Sequence, residues 1–278
     1  MDAVLQFLRL ILIVLFIALM IAGGAVLGIV AADMIFGPRA TDFSNISYQG
    51  ADGAELVAYI NMPPGSRRHP AVIMVPDLYG LNDEMIRLAN HVAREGYLVI
   101  VPDLYRGASA NALPRALLLS RLTPAARILS DLNSTFDYLM AHERVNTRHI
   151  GIVGFGFGGG AALRYAVDNP NITAVVNAYG AVITEPEALA QLGGPVLGTF
   201  GSRDWLIRPS QVAQFRAALE AAGIEHTIFV HSQPGGYLKF PDITVVGSDP
   251  HVAWMEILNF LNAHLTPRPS LPVERRGF

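Results

Sequence analysis

The chain has 278 residues, a length that fits one α/β domain of ordinary size with further segments at its ends. Hydrophobic residues make up 51% and charged residues only 15%, and the formal net charge of −3 predicts no nucleic-acid partner, because such partners select a basic surface. The lack of cysteine in the sequence excludes disulfides and thiolate metal sites, and we expect neither a metal nor a cofactor.

The first predicted element is a transmembrane helix over about residues 10–32, within an N-terminal segment 1–32. The stretch from Leu10 to Ala32 carries no charge and, as a helix, is long enough to cross a hydrocarbon core of about 30 Å. A cleaved signal peptide is the alternative, but its apolar core has only about 7–15 residues, fewer than this run. We therefore expect a single-pass membrane anchor.

The predicted helix has small residues on one face, since Gly24, Gly28 and Ala32 recur every four residues. Small residues at this spacing let a second membrane helix approach closely, although they are also common in membrane helices generally. We expect this face to contact other subunits of a membrane-protein complex. Arg9 before the span weakly favours a cytoplasmic N-terminus, which would place the following domain outside the cytoplasm.

After the span, we predict a linker over 33–45, an α/β domain over 46–265 and an extended proline-rich tail over 266–278. Residues 46–65 alternate in polarity around an Asp52-Gly53 turn signal, which predicts a hairpin. Beyond it, short apolar runs alternate with segments of helical periodicity, which implies a doubly wound, mostly parallel sheet covered by helices on both faces. The predicted strands are 70–77, 97–103, 150–153, 172–180, 195–201 and 226–232, and the predicted helices are 82–96, 114–142, one opening at Gly158–Gly160, 209–223 and 250–265.

The stretch "HIGIVGFGFGGGAALRYA" (149–166) predicts a buried strand, a glycine-rich turn and a helix. This is where α/β-hydrolases carry their nucleophile, in the pattern Gly-x-nucleophile-x-Gly. The outer glycines are Gly154 and Gly158, but the residue between them is Gly156. No Ser, Thr or Cys occurs from His149 to Tyr165, so a shifted register cannot supply another nucleophile.

Four separated segments resemble the dienelactone hydrolase family. They are the run over 70–107 with its Pro-Asp-Leu-Tyr motif, the glycine-rich elbow, "NAYG" (177–180) and "PVLGTFGSRDWLIRP" (195–209). The resemblance runs from about residue 46 to 265 and implies an α/β-hydrolase fold. It also implies a catalytic set of Cys or Ser, Asp and His, in which the nucleophile attacks a carbonyl, the His moves the proton and the Asp orients the His.

The resemblance places the nucleophile at Gly156, which has no side chain and cannot form a covalent acyl intermediate. The triad acid falls on Asp204, for which we expect a role in bracing local backbone. The family's histidine falls on Gly236 by spacing, or on Leu238 by the Pro-Gly pair in "SQPGGYLKFPD", and neither is a histidine. His231 lies nearby, and we interpret it as a strand residue rather than a displaced catalytic group.

Two further features of the family's site have counterparts here. A family Glu that attends the nucleophile corresponds to Asp77, which we interpret mainly as a turn-forming residue at a strand end. The oxyanion hole of this fold consists of backbone N–H groups, here those of Phe157 and Leu78, which the loss of a catalytic side chain does not remove.

These observations predict a membrane-anchored, catalytically inactive protein that serves as an accessory or scaffolding subunit of a larger membrane complex. Two alternatives stay open. One is a hydrolase of small esters or lactones in which water attacks directly, with Asp77, Asp204 or His231 as the base. The other is a binding module that uses the vestigial pocket for an anionic or apolar small molecule, whose identity the sequence does not select.

Overall fold

The computed structural model describes residues 2–266, so all of the predicted tail except Thr266 lies outside the described part of the chain. Its centre is one eight-stranded sheet with the strand order β1-β2-β4-β3-β5-β6-β7-β8. The β1–β2 and β2–β4 pairs are antiparallel and all other pairs are parallel, which confirms the predicted mostly parallel sheet. The strands are β1 (Ile46–Gln49), β2 (Glu55–Asn61), β3 (His69–Val75), β4 (Leu98–Pro102), β5 (Val145–Phe155), β6 (Ala174–Ala178), β7 (Val196–Gly201) and β8 (His226–His231), and the helices are α1 (Asp2–Phe36), α2 (Asp83–Arg94), α3 (Leu113–Leu122), α4 (Ala125–Ala141), α5 (Phe157–Asp168), α6 (Pro186–Leu189), α7 (Pro209–Ala221) and α8 (Asp249–Leu265), with short 3₁₀ turns at Ala40–Asp42 and Asp242–Thr244.

The apolar runs form central strands because both faces of the sheet are covered. One core contains side chains of α4, α5 and α7, and the other contains side chains of α2 and α8. Since the six parallel strands run in one direction, their carboxyl ends and the loops that leave them lie at one edge of the sheet, here called the carboxyl edge. Ligands of open α/β sheets bind at this edge.

Helix α1 contains the whole predicted span. Among the described residues it is the one helix long and apolar enough to cross a membrane, and a signal sequence would share both properties. The helix continues four residues into the segment predicted as a linker, where Asp33 is buried against the domain. The Asp33 carboxylate accepts hydrogen bonds from the backbone N–H groups of Asn111 and Ala112, each 3.1 Å away, and Arg115 donates to the Asp33 carbonyl. These contacts fix the last turn of α1 to the start of α3.

Two further boundaries differ from the predicted ones. The helical region predicted over 114–142 is two helices, because the chain is extended at Thr123 and Pro124, and Pro124 serves as the N-cap of α4. Strand β5 begins at Val145, five residues before the predicted strand, since its first part is polar and carries no apolar signal. The four residues of α6 are too few to show helical periodicity in the sequence.

Candidate functional site

The turn between β5 and α5 has the geometry of a nucleophile elbow. Gly156 adopts φ 50° and ψ −113°, a conformation that side-chain-bearing residues rarely take, and its N–H donates to the Ala178 carbonyl at 2.8 Å. The glycines on either side permit close approach of backbone to backbone. A Cβ on Gly154 would overlap the carbonyl oxygen of Gly158, and a Cβ on Gly158 would overlap that of Pro76.

The corner at Gly156 itself has room for a side chain. A Cβ placed there would lie 3.7 and 3.8 Å from two ring carbons of Tyr179 and 3.9 Å from the Cβ of Asp77, which are ordinary van der Waals separations. Burial raises the pKa of Tyr179 well above its usual value, and the nearby charge of Asp77 adds to the effect. Tyr179 is therefore a neutral phenol at physiological pH and supplies no base to the corner.

Asp204 is buried in the loop that follows β7. Its Oδ1 accepts hydrogen bonds from the N–H groups of Leu206 and Ile207 at 2.8 and 3.1 Å, as the backbone-bracing interpretation predicts. The carboxylate lies against the backbone of Gly235, where an added Cβ would overlap Oδ2. A carboxylate thus stands at the position that the resemblance assigns to the triad acid, and its Oδ2 faces the backbone of Gly235.

Neither predicted histidine position carries a group that could move a proton. Gly236 has φ 72°, and a Cβ there would have no neighbour within 4 Å. Leu238 is buried and lines a cavity of about 10 Å³ together with Asp77 and Tyr179. His231 lies at the end of β8, as predicted, where its Nε2 is 3.0 Å from an Oε of Glu256 on α8.

Sequence reasoning missed one charged residue at this site, Lys239. Its Nζ lies 3.5 Å from Oδ2 of Asp77, whose Oδ1 accepts the N–H of Tyr79 at 2.9 Å in the predicted turn. Lys239 is the sole lysine in the sequence and stands in the loop predicted to hold the family's histidine. A single lysine in this loop was the feature of the sequence that could have indicated a role. Its pairing with Asp77 could not be predicted, because the two residues lie 162 positions apart in the chain.

The two N–H groups expected to form the oxyanion hole, those of Leu78 and Phe157, have no protein hydrogen-bond acceptor within residues 2–266. The Tyr105 hydroxyl donates to the Leu78 carbonyl at 3.0 Å, and the Tyr105 ring stacks on Phe157 with centroids 6.3 Å apart. Tyr105 therefore links the two segments that carry these N–H groups.

A mostly apolar cavity of about 340 Å³ adjoins the corner, between α4 and the first turns of α5. Ile128 and Leu129 of α4 face Phe157 and Ala161 of α5 across it, and Ser120 of α3 lies on its wall. In the part of the chain that the structure describes, no three His, Asp or Glu side chains converge as metal ligands. The cavity can therefore accommodate an apolar group against the side chain of Phe157, next to the corner, but Gly156 gives the site no covalent nucleophile.

Comparison with known proteins agrees with this architecture. The sequence profile of the dienelactone hydrolase family matches residues 56–265. A Yersinia pestis protein provisionally named a carboxymethylenebutenolidase is 31% identical over 202 residues, which cover 66% of this chain and 74% of that protein. A crystal structure provisionally described as a dienelactone hydrolase, from Klebsiella pneumoniae subsp. pneumoniae, is similar with a TM-score of 0.68 at 26% identity, over 79% of this chain and 99% of that chain. A Pyrococcus furiosus esterase that is 15% identical shares the fold alone, with a TM-score of 0.59 over 79% of this chain and 89% of that chain. The chain therefore belongs to the dienelactone hydrolase family.

Proposed function

We propose that this chain is a membrane-anchored member of the dienelactone hydrolase family that performs no acyl-enzyme hydrolysis and serves as an accessory or scaffolding subunit of a larger membrane complex. The observation that carries the first part is the open corner at Gly156, which has the elbow backbone and room for a side chain but no side chain. The proposal excludes the covalent route, because an acyl intermediate needs an oxygen or sulfur bonded to the residue at that corner.

The rest of the site supports the same proposal. One carboxylate oxygen of Asp204 accepts two backbone N–H groups, and the other packs against Gly235. Asp204 therefore orients no imidazole where it contacts Gly235. The two backbone donors alone are a weak catalyst, since a hydrolase stripped of its triad retains only about 10³–10⁴-fold acceleration over water.

The catalytic part is tested with the full chain in detergent micelles, on p-nitrophenyl acetate and a small lactone. We expect the wild type, Asp204→Ala and the surface control Asp242→Ala to hydrolyse both compounds at the same low rate, no more than the backbone donors alone provide. A wild-type rate above background that Asp204→Ala abolishes and Asp242→Ala leaves intact would instead establish hydrolysis with water as the direct nucleophile.

The subunit part is tested by the size of the protein isolated gently from its native membranes. We expect a complex on native gels that is larger than the single chain. Gly24→Ile should dissociate this complex, because a bulky side chain on the small-residue face prevents close approach of a partner helix. A Cβ at Gly24 meets nothing within 4 Å in this chain, so the substitution should not disturb the chain's own fold. Val26→Ile, on the opposite face of the helix, is the matched control. A wild-type protein that migrates alone as a monomer would contradict the subunit role.

The apolar cavity beside Phe157 favours a second candidate, a binding module for a small molecule with an apolar body and an anionic or carbonyl end. Such a ligand would place its apolar part between α4 and α5 and its oxygen at the N–H groups of Leu78 and Phe157. Native mass spectrometry of the freshly purified protein tests this candidate. A bound mass that Ala161→Phe removes supports it, whereas a bare chain mass in both variants excludes a retained ligand.

A further inference from the structure

Helix α3 has an apolar face that no part of the domain covers. Four of its leucines are exposed, and we call them the leucine face: Leu113, Leu117, Leu118 and Leu122. The opposite side of the helix, with Arg115 and Ala116, is buried against the domain and the end of α1. One exposed leucine would be ordinary, but four on one short helix form a clustered apolar surface, which is typical of an interaction site.

The position of α3 identifies what this surface contacts. Asp33, in the last turns of α1, accepts the N–H groups of Asn111 and Ala112 at the start of α3, so the leucine face begins directly beside the end of the apolar helix. That end is itself uncovered, since Phe36 is 86% exposed. The apolar surface of α1 therefore continues onto α3. A bilayer that surrounds α1 would also contact the leucine face of α3.

Other exposed apolar side chains lie at the same edge of the sheet. Trp205, 81% exposed, and Leu206 follow β7, while Val245 and Val246 lie between β8 and α8. These loops leave the carboxyl edge, as does the connection from β4 that contains α3. Among the described residues outside α1, every large apolar side chain that is at least half exposed belongs to this edge. An exposed tryptophan is typical of the boundary between lipid headgroups and acyl chains.

We propose that the carboxyl edge lies on the membrane that α1 enters, with the leucine face of α3 inserted at the headgroup boundary. The proposal rests on the anchoring role of α1 proposed above. Arg121 is exposed on α3 between the leucines, where its guanidinium can reach lipid phosphates while the leucines contact acyl chains. This orientation also turns the corner at Gly156 and the cavity beside Phe157 toward the bilayer, so a ligand of that cavity would arrive from the lipid phase.

The sequence lacks cysteine, so a single introduced cysteine can carry an environment-sensitive NBD label without further changes. Leu118→Cys and, as a second position, Leu122→Cys place the label on the leucine face, while Gln214→Cys places it on the exposed side of α7 as the matched control. The full chain is reconstituted in vesicles of phosphatidylcholine and phosphatidylglycerol at 3:1. We expect blue-shifted emission at the two α3 positions, and at least twofold stronger quenching there than at Gln214 by a doxyl group on the lipid near its headgroup.

Trp205 provides a label-free measurement, because the chain's other tryptophan, Trp254, is buried. Brominated lipids should quench the wild-type emission, and the quenched component should be absent in Trp205→Phe. Carbonate extraction of the same vesicles separates two failures. A chain released by carbonate contradicts the anchor itself. A chain that stays in the membrane while both α3 labels behave like the Gln214 label overturns the orientation proposed here, and a partner protein would then be the candidate cover for α3.

Discussion

Gly156 offers a direct test of why the corner holds a glycine. The structure gives two separate costs that a side chain there could incur, namely a strained backbone conformation and collision with neighbours. The collision cost is absent for Gly156→Ala, since the nearest atoms to an added Cβ are 3.7 Å away. The conformational cost is present, because φ is 50° and ψ is −113°.

A non-glycine residue in such a conformation costs about 1–3 kcal/mol. We therefore expect Gly156→Ala to lower the free energy of unfolding by about 1–3 kcal/mol. In a domain of this size each kcal/mol shifts Tm by about 2–4 °C, so the expected fall in Tm is about 2–12 °C. Gly156→Ser should behave in the same way and should not create an esterase, since no histidine stands at the Gly236 or Leu238 position.

Two other glycines serve as matched controls. Gly53 has φ 79° and no neighbour within 4 Å of a Cβ, so Gly53→Ala carries a conformational cost alone and should fall in the same range. Gly158→Ala has the collision cost as well, because its Cβ would overlap the backbone carbonyl oxygens of Val75 and Pro76, and backbone cannot move as a side-chain tip can. Its loss of stability should clearly exceed that of Gly156→Ala.

The assay is urea unfolding of the full chain in one detergent, monitored by circular dichroism. The variants are compared where the slope of the unfolding free energy against urea concentration, the m-value, is unchanged. A Gly156→Ala variant as stable as the wild type would refute the strain argument. A loss equal to that of Gly158→Ala would show that the corner is closed, and the proposal of an emptied but open site would fail with it.

Three further predictions concern buried charges. Burial raises the pKa of Asp103 from 3.8 to about 6, so the folded chain binds this proton more tightly than the unfolded chain does. The free energy of unfolding should therefore fall by up to about 3 kcal/mol as the pH rises from about 4 to 6. Urea titrations at each pH measure this dependence, and Asp103→Asn should remove it. Arg106 donates to both carboxylate oxygens of buried Asp131 at 2.9 and 2.6 Å, so Arg106→Met should cost about 3–5 kcal/mol in urea unfolding, whereas truncating its exposed partner Asp52 should change little. Asp33→Ala should cost about 1–3 kcal/mol and speed amide hydrogen exchange at the start of α3, because the N–H groups of Asn111 and Ala112 lose their acceptor, whereas Asp33→Asn keeps an acceptor there and should exchange nearly as slowly as the wild type.

The elements that could be predicted from the sequence are those whose signals are local. Strands β3 and β4 are continuous apolar runs because both faces of the sheet are covered, and the structure places them within two residues of the predicted bounds. Helix α2 could be predicted with its cap, since Asn82 accepts the N–H of Met85 at 3.0 Å, and Gly96 ends the turn with φ 102°. The position of Gly156 followed from the spacing of the glycines around it.

The parts that could not be predicted depend on contacts between distant segments. Asp33 reads as the first residue of a linker, and only the fold brings it to residues 111 and 112 at the start of α3. Lys239 is distinguished in the sequence as the sole lysine, but its partner Asp77 is identified only when the loop after β8 is folded. The contact between Asp204 and Gly235 likewise carries no sequence signal, because a glycine that allows close approach looks the same as a glycine in an open turn.

On the proposal that this chain performs no acyl-enzyme hydrolysis, the glycines of the elbow explain how the hydrolase motif persists without the reaction. Gly154 and Gly158 are required by the packing of α5 on β5 and β3, since a Cβ at either position would enter a neighbouring carbonyl group whether or not the site is used. Gly156 is under no such steric requirement. A side chain there strains the backbone, so it is retained only where the reaction needs it. Loss of activity therefore removes the reason for a side chain at the corner and leaves the reasons for the two outer glycines unchanged. The outer glycines of this motif consequently indicate the α/β-hydrolase fold, and only the residue between them indicates whether the covalent reaction is possible.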